Sequence, residues 1–385
     1  MKTTSTILTI LMSAFTFAQT VPDSLQTNPQ NQQNTAQRIL SNSANTKVTI
    51  GGYGEIYYEQ PEGENGVLNA ERVVLFLGYK FNDKTQFVTE IELEDAKKIE
   101  LEQAFLQYSL NDNINLRGGL MLVPMGIINE YHEPTTFNGV QRPNMDKSIV
   151  PTTWREIGVG TSGKFNEVSL RYQAYIFNGF ASIADGEALG GTNGLRNGRQ
   201  EGADAIIGTP SFSAKLDYYG LPGLRLGLSG YFGKTQTEDA LENINGSTVD
   251  ISMIGLDARY AYQRFSARGQ FIHSSISGTE DYNALYNADL GSALQGWYLE
   301  GAYNVLPLEK EQELIAFVRY EAYDTQASVA GGLVKNDTFD RNDWTFGLSY
   351  KIAPGAVVKA DYQIKDDASA VKVPNQLNIG LGVWF

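Results

Sequence analysis

An all-β fold, a transmembrane antiparallel up-and-down β-barrel of about sixteen strands, is what this sequence predicts. From Lys47 to Phe385, segments of roughly 9–13 residues alternate apolar and polar side chains, as strands with two different faces do. The connections between these segments alternate between long loops and tight turns, with an exception near residues 96–98. Strands that cross a membrane up and down place short turns on one side and long loops on the other. This asymmetry therefore favours a membrane barrel over a soluble sandwich.

Residues 1–18 are typical of a secretory signal peptide. Lys2 gives a positive start, residues 7–17 form a mostly apolar run, and Ala18 ends a small-residue cleavage pattern. The absence of cysteine argues against a lipid-anchored lipoprotein and a disulfide framework. Later apolar runs are too short for a helix to span a bilayer, which needs about twenty residues. The net charge of −14 disfavours nucleic acid as a partner.

Residues 19–46 are polar and rich in Gln, Asn, Ser and Thr. Because they lack an apolar repeat, they are expected to form a mostly disordered periplasmic leader. A short helix over residues 36–40 is the alternative. The barrel is then expected to occupy residues 47–385, with both termini on the periplasmic side of the cell outer membrane.

The last predicted strand shows the two faces most clearly. Leu377, Leu381 and Phe385 fall on one face, and Asn378 and Trp384 fall on the other. An Arg or Lys that faces lipid at mid-depth costs roughly 2–4 kcal/mol, so the charged face of each strand should line a water-filled interior. A soluble barrel would reverse the two faces, but the signal peptide, the strand number and the loop asymmetry argue against it.

The connections are predicted to fall into two sets. The short turns are expected near 82–83, 111–113, 165–166, 220–223, 263–264, 306–312 and 353–354. The long loops are expected near 60–71, 123–154, 178–210, 233–248, 274–292, 324–340 and 365–374, all facing outward from the cell. Sixteen tilted strands enclose a lumen too wide for side chains alone to fill, so an aqueous channel is expected unless a loop plugs it.

The loop at 123–154 carries the densest polar chemistry of the chain together with buried-type residues. Phe137, Met145, Ile149 and Val150 are unusual in a purely external loop. The loop is stiffened by Pro134, Pro143 and Pro151. We therefore expect this loop to fold into the lumen and to narrow the channel. The candidate constriction residues are Glu130, His132, Glu133, Arg142, Asp146 and Lys147.

At this point the chain resembles the porins of Bacteroidetes outer membranes and, more distantly, the phosphate-selective porin family. The resemblance covers residues 47–385 and rests on the opening strand at 51–55, the stretches 129–143 and 151–156, and the aromatic terminus. It implies a sixteen-stranded barrel with the third loop inside the pore, as a homotrimer in outer-membrane lipid and lipopolysaccharide. Members that select phosphate line the channel with a ladder of arginines.

Strand parity places charges of both signs in the lumen. The basic candidates are Arg72, Arg117, Arg171, Arg225, Arg259, Arg264, Arg268 and Arg319. The acidic candidates are Glu55, Glu90, Glu92, Asp257, Glu300, Glu321 and Asp361. This mixture departs from an arginine ladder and does not by itself predict phosphate selectivity. Acids concentrate on the third and fourth strands, at Glu90, Glu92, Glu94, Glu100 and Glu102, and arginines on strands seven to eleven. Such a separation would set up a field across the pore; local neutralisation of pairs is the alternative.

Other chemistry is weaker. His132 between Glu130 and Glu133 lacks the spacing of a metal site, and the aspartates at 337, 340 and 343 are expected to lie in a solvated loop. His273 followed by Ser274 has no surrounding nucleophile motif. No metal and no cofactor are predicted.

The sequence thus predicts a porin for passive diffusion of small hydrophilic solutes or ions, and not an enzyme. A surface adhesion or structural barrel is the alternative, carried by loops 178–210 and 324–340. An outer-membrane hydrolase is a third interpretation.

Overall fold

The computed structural model describes residues 32–42, 47–238, 240–241, 243–370 and 373–385. The predicted signal peptide and most of the predicted leader lie outside these residues. Within them, sixteen antiparallel strands close into a barrel, and two further short strands pair in one loop. The barrel strands are β1 Val48–Pro61, β2 Val67–Lys80, β3 Thr85–Glu94, β4 Lys98–Asn111, β5 Ile114–Leu122, β6 Arg155–Phe165, β7 Leu170–Phe177, β10 Ser211–Leu221, β11 Leu224–Lys234, β12 Asp250–Tyr262, β13 Phe265–Ser277, β14 Ala293–Asn304, β15 Glu313–Ser328, β16 Asp340–Ala353, β17 Ala356–Asp367 and β18 Gln376–Trp384.

The remaining elements are short. The strands β8 Ile183–Ala184 and β9 Glu187–Ala188 form the loop hairpin. The helices are α1 Thr35–Asn42, α2 Asn144–Ser148 and α3 Thr279–Tyr286. None of these described helices has the length and apolar character needed to cross a bilayer. The predicted all-β barrel is confirmed.

Pairing of the first and last strands closes the barrel. β1 runs antiparallel to β18, with Tyr53 opposite Trp384 and Pro61 opposite Gln376. The terminal Phe385 continues the closure, because its backbone N–H and C=O both bond to Gly52. A closed sheet satisfies the backbone groups that an open edge would leave exposed to lipid.

The two faces of the strands are divided as the sequence predicts. Leu226, Phe346 and Leu381 are 40%, 45% and 44% exposed on the outside, whereas Arg225 and Asn378 are buried inside. Outward aromatic side chains also contact one another, as in the row Trp297, Tyr320 and Trp344. The outer surface is therefore apolar over most of the barrel, as contact with acyl chains requires.

The two ends of the barrel differ in the expected sense, but two of the predicted long loops are shorter than expected. At one end the connections are tight; they comprise 81–84, 112–113, 166–169, 222–223, 263–264, 305–312 and 354–355. We call this the short-turn end and the opposite one the long-loop end. The predicted long loop at 60–71 is wrong, because β1 and β2 extend toward each other and leave only 62–66. Likewise β15 extends to Ser328 and shortens the predicted loop at 324–340.

Strand parity fails at two places. On β4 the register shifts between the pairs Glu90–Gln103 and Ile91–Leu101, so Glu102 has no partner opposite it and both Glu102 and Gln103 point inward. Arg264, expected in the lumen, lies instead in a turn, with its guanidinium over the ring of the outward-facing Tyr303.

A charge placed on the outer face at mid-depth should destabilise the barrel. We expect Leu228→Arg, in the middle of β11, to lower the free energy of unfolding by about 2–4 kcal/mol. Leu308→Arg, in a short turn, is the matched control and should cost about 0–1 kcal/mol. Denaturant unfolding in lipid bilayers measures both. Equal losses would contradict the assignment of the outer face to lipid.

Candidate functional site

The loop between β5 and β6, residues 123–154, lies inside the barrel and is called loop 3 here. Asn129 organises its two ends: its side-chain N–H groups donate to the carbonyl oxygens of Val123 and Trp154 at 2.7 and 2.9 Å. Its side-chain oxygen accepts from Trp154 N–H at 2.7 Å. The Trp154 ring then stacks on Phe180 with centroids 4.5 Å apart. A polar clamp and an aromatic anchor thus turn the chain inward at the barrel wall.

Inward side chains from distant strands bind the backbone of loop 3. Gln270 of β13 accepts from Ile127 N–H at 2.6 Å, and Glu321 of β15 accepts from Met145 N–H at 3.2 Å. Asp361 of β17 accepts from Val140 N–H at 2.6 Å. These strands lie across the bore from β5 and β6, so loop 3 crosses the lumen, as the sequence analysis expects.

The predicted constriction residues are all in the lumen but have different partners. Glu130 pairs with Lys215 at 3.0 Å, and Glu133 accepts two hydrogen bonds from Thr35 of α1. Asp146 accepts from Gln270 at 2.8 Å, and burial raises the pKa of this carboxyl to about 7.

The His132 side chain does not pair with Glu130 or Glu133, its two glutamate neighbours in the sequence. It faces the wall instead, where its Nε2 atom lies 3.8 Å from Glu90 and 3.4 Å from Glu102. Burial opposes a charge on His132, but Glu102 and Glu90 raise the pKa of the imidazole to about 10. Glu90 and Glu102 come from neighbouring strands, so only the folded barrel brings this cluster together.

A cavity of about 380 Å³ lies on the long-loop side of loop 3, and we call it the vestibule. Seven carboxylates and eight cationic side chains line it. The carboxylates are Glu55, Glu59, Glu71, Glu92, Glu94, Glu100 and Glu201, and the cations are Arg72, Lys98, Arg142, Lys147, Arg155, Arg196, Arg199 and Lys365. The charges nearly cancel in number, so the vestibule carries little net charge.

The two signs are separated in space. Six of the carboxylates come from β1 to β4, whereas four of the cations come from loop 3 and the loop at 178–210. Arg155 and Arg199 pair with Glu100 and Glu201. Within the described part of the chain, Arg142, Lys147 and Arg196 form no ion pair within 4.0 Å. Three uncompensated cations therefore face a wall of carboxylates.

Burial and repulsion from nearby cations lower the pKa values of the basic side chains that the loops bring to the vestibule. Burial and the nearby Arg196 lower the pKa of Lys147, and burial and Arg72 lower that of Arg142. Burial and Arg199 lower the pKa of Arg196. Desolvated cations that repel one another interact favourably with any anionic group that enters.

Most of the predicted lumen arginines lie in the bore but away from the vestibule. Arg225 pairs with Asp217 at 2.7 Å, and Arg268 and Arg319 pair with Glu300 at 2.9 and 3.3 Å. Arg259 lies over the ring of Tyr131, with 4.6 Å from its guanidinium carbon to the ring centroid. The carboxylate of Asp257, another predicted lumen acid, lies 3.8 Å from the Lys215 amine. Here the charges neutralise one another locally.

Two arginines contact other parts of the lumen. Arg117 donates to Gln107 at 2.8 Å, and Arg171 donates to Gln37 at 3.1 Å. Arg72, in contrast, belongs to the vestibule wall, where it pairs with Glu55 at 2.6 Å and Glu92 at 3.4 Å.

The helix α1 lies at the short-turn end of the lumen. Asn34 caps it by accepting from Gln37 N–H at 2.9 Å. Ala36 and Ile39 are 5% exposed, on the face that packs against the barrel. The alternative helix of the sequence analysis is therefore the one that forms, and this part of the leader is ordered within the structure. The apolar spacing at 36, 39 and 40 behind an Asn cap was the available signal.

Contacts of α1 reach opposite sides of the barrel. Trp384 of β18 donates to Thr35 at 3.1 Å, and the guanidinium of Arg38 lies 3.8 Å from the Trp384 ring centroid. Arg259 of β12 donates to Gln32 at 3.0 Å. β12 and β18 are six strands apart, so the segment 32–42 spans the mouth. Beside its direct contact with Glu133 of loop 3, a void of about 20 Å³, room for about one water, lies between the segment and Glu130.

The other residues considered in the sequence analysis, the His273–Ser274 pair and the aspartates at 337, 340 and 343, form neither a nucleophile site nor a metal site in the described structure. Ser274 is buried on the inner face of β13 while His273 lies on the other face and contacts Gln295. Asp340 pairs with Lys335 at 3.3 Å, while Asp343 is buried and accepts from Asn144. Within the described ranges, Glu90, Glu102 and His132 are the one grouping of three potential metal-ligating side chains.

Several vestibule residues were missed by the sequence analysis. Arg196 and Arg199 come from the loop at 178–210, which was expected to face outward. Glu102 was expected among the acids of the fourth strand, but the inward position of its neighbour Gln103 was not, because the bulge on β4 is not visible as alternation. A clustered basic pair in a long loop was the available signal for Arg196 and Arg199, and the sequence holds no signal for the bulge.

The geometry defines a membrane-spanning barrel with a charged vestibule and an internal constriction loop. The sequence model described as "Phosphate-selective porin O and P" matches residues 50–351. The chain belongs to this family, and it is a porin channel of the outer membrane. A relative in Aquifex aeolicus, described as an uncharacterized protein, is 36% identical over 336 residues, covering 83% of this chain and 76% of the relative.

Solved structures share the fold at low identity. A loop deletion variant of OmpT, an outer membrane protein of Vibrio cholerae, is 12% identical with a TM-score of 0.58, covering 88% of this chain and 99% of that one. The outer membrane channel DcaP of Acinetobacter baumannii is 10% identical with a TM-score of 0.57, covering 88% and 97%. An anion-selective porin from Comamonas acidovorans is 13% identical with a TM-score of 0.56, covering 88% and 99%.

Loss of the Asn129 clamp should loosen loop 3. Asn129→Ala removes three hydrogen bonds from buried backbone groups, and we expect a loss on the order of 3 kcal/mol in the free energy of unfolding. Asn138→Ala, which removes one contact to Glu300, serves as the control and should cost about 1 kcal/mol. Denaturant unfolding in bilayers measures the difference, and no difference would show that the clamp does not hold the loop.

Proposed function

We propose that this porin admits small hydrophilic solutes by passive diffusion and that the vestibule orients them by their charge distribution. The observation that carries this is the separation of carboxylates on β1 to β4 from the unpaired cations Arg142, Lys147 and Arg196. A field between such walls aligns dipolar solutes and disfavours apolar ones. Because the opposite charges nearly balance, selectivity for net charge is weak and depends on individual side chains.

Anionic groups bind on the loop side of the vestibule in this proposal. Lys147 and Arg196 offer donors that no carboxylate of the described chain neutralises. The family name and the anion-selective relative of the fold agree with such a preference, but the carboxylate wall distinguishes this vestibule from a purely basic one. Solutes with a negative group and a positive group match both walls.

The helix α1 is the second control point in the proposal. It occupies the short-turn mouth, so a solute that has passed loop 3 meets it next. The interface between α1 and the barrel consists of a few hydrogen bonds and two buried apolar side chains. A segment with so small an interface can detach from the barrel at a modest cost in free energy. Displacement of α1 then widens the exit.

The remaining parts of the proposal concern setting and assembly. We assign the short-turn end, where the described chain has residue 32 and Phe385, to the periplasm and the long loops to the outside. Three barrels associate in outer-membrane lipid and lipopolysaccharide, as the trimer form described for Vibrio cholerae OmpT does in that protein. The barrel acts as a channel without catalysis. The closer resemblance to Bacteroidetes porins rests on residues 129–143 and 151–156.

Reversing one vestibule charge should change ion selectivity. Lys147→Glu replaces an exposed cation that forms no ion pair with any described residue, and we expect the reversal potential across a salt gradient to move toward cation preference. Lys310→Glu makes the same charge change in a short turn and serves as the control. An equal response in the two variants would place Lys147 outside the permeation path.

Removing α1 should open the short-turn mouth. Deletion of residues 32–42 is expected to raise single-channel conductance by about twofold or more, because this segment spans the mouth and blocks part of its cross-section. An unchanged or lower conductance in planar bilayers would contradict the role of α1 as a constriction.

A disulfide provides the matched control for the deletion. The Ile39 Cβ atom lies 3.5 Å from the position of a Cβ on Gly78, within the range that disulfides require. Ile39→Cys with Gly78→Cys adds the two cysteines to a chain that has none. We expect low, steady conductance when oxidised and higher or fluctuating conductance when reduced. Identical traces would show that α1 does not move.

A further inference from the structure

The cluster of Glu90, Glu102 and His132 lies on the wall side of loop 3, apart from the vestibule lining. All three residues are at most 2% exposed. His132 Nε2, Glu90 Oε1 and Glu102 Oε1 have no hydrogen-bond partner among the described residues. Buried polar atoms are normally satisfied, so three such atoms in one place, joined only at ion-pair distances of 3.4 and 3.8 Å, point to a ligand.

We propose that Glu90, Glu102 and His132 bind one divalent first-row metal ion, with Zn²⁺ or Mn²⁺ as the chemical class. The candidate ligand atoms all lie within 4.8 Å of one another, and the imidazole nitrogen is 3.4 Å from Glu102 and 3.8 Å from Glu90. Bonds of about 2.1 Å in a tetrahedral site separate ligands by about 3.4 Å. Small side-chain movements therefore complete the site.

The surroundings hold each ligand in place. His132 Nδ1 lies 3.1 Å from the carbonyl oxygen of Asn129, so an Nδ1–H donor leaves Nε2 free to bind the metal. Gln103 donates to the other oxygen of Glu90 at 2.7 Å, and Tyr53 donates to Glu102 at 3.2 Å. Outer contacts of this kind orient histidine and carboxylate ligands in metal sites.

Charge balance favours a divalent ion. Arg72 is already paired with Glu55 and Glu92. Glu90 and Glu102 place two carboxylates in a buried space, where a proton on the neighbouring His132 offsets one of them. One divalent cation that takes the place of this proton balances both carboxylates, and it binds an imidazole and two carboxylate oxygens readily.

A bound metal would fasten loop 3 to the barrel wall. His132 belongs to loop 3, whereas Glu90 and Glu102 belong to β3 and β4. The site thus joins the constriction to two neighbouring strands through coordinate bonds. This role is independent of which solute passes, so it stands or falls separately from the proposed function.

Metal content of the purified porin tests the proposal. The protein is stripped with a chelator in detergent, incubated with Zn²⁺ and desalted, and mass spectrometry should find one Zn²⁺ per chain. His132→Gln and Glu102→Gln should weaken Zn²⁺ binding more than tenfold. Glu133→Gln is the matched control, since Glu133 contacts α1 instead, and it should bind like the unchanged protein.

A second probe covers variants that fail to fold. In the unchanged protein, pulsed electron spin resonance of bound Mn²⁺ should show coupling to an imidazole nitrogen, and circular dichroism confirms the β-structure of each variant used. Retention of neither Zn²⁺ nor Mn²⁺ by the folded, unchanged protein would overturn the proposal and leave a cluster that holds protons only. Equal Zn²⁺ binding in His132→Gln would overturn it as well.

Discussion

The interior of this barrel depends on satisfying the backbone of a buried loop. Loop 3 has little regular structure, so most of its N–H and C=O groups cannot bond to one another. The inward carboxylates and amides of the wall provide the partners, as Asp361 does for Val140 and Gln270 does for Ile127. The ionised inner face therefore has two consequences at once: it wets the lumen, and it fixes the loop that narrows it.

The alternation of side chains was enough to predict the barrel and its two faces. Leu226 and Leu381 could be assigned to the outside because a two-residue period leaves no other choice for an amphipathic strand. The same rule could not predict that Glu102 and Gln103 both point inward, since a bulge resets the period without a mark in the sequence. It failed for Arg264 because a turn residue belongs to neither face.

The candidate site was less predictable, and the reason is physical. Loop 3 could be recognised from its apolar residues, but the partners of Glu130, His132 and Glu133 depend on which strands face it across the bore. Contacts between residues far apart in the chain leave no local pattern. The inward course of the loop at 178–210, which brings Arg196 to the vestibule, is of the same kind.

The charges of the lumen form two systems with different roles. Around Arg225, Arg268 and Arg319, each cation lies against carboxylates of neighbouring strands, and these pairs hold the wall together. In the vestibule, cations from loops and carboxylates from strands remain apart. The alternation of side chains along the strands assigns all these residues to the inner face of the barrel. The course of the loops inside the barrel determines which of them a passing solute contacts.

The dependence of α1 on Trp384 has a consequence for biogenesis. Trp384 lies on the strand that completes the cylinder, and it reaches its place only when β18 has joined β1. Before the barrel closes, α1 therefore lacks part of its binding surface. Although α1 is synthesised early, it can complete its docking only after β18 has paired with β1, so the docked helix marks a closed barrel.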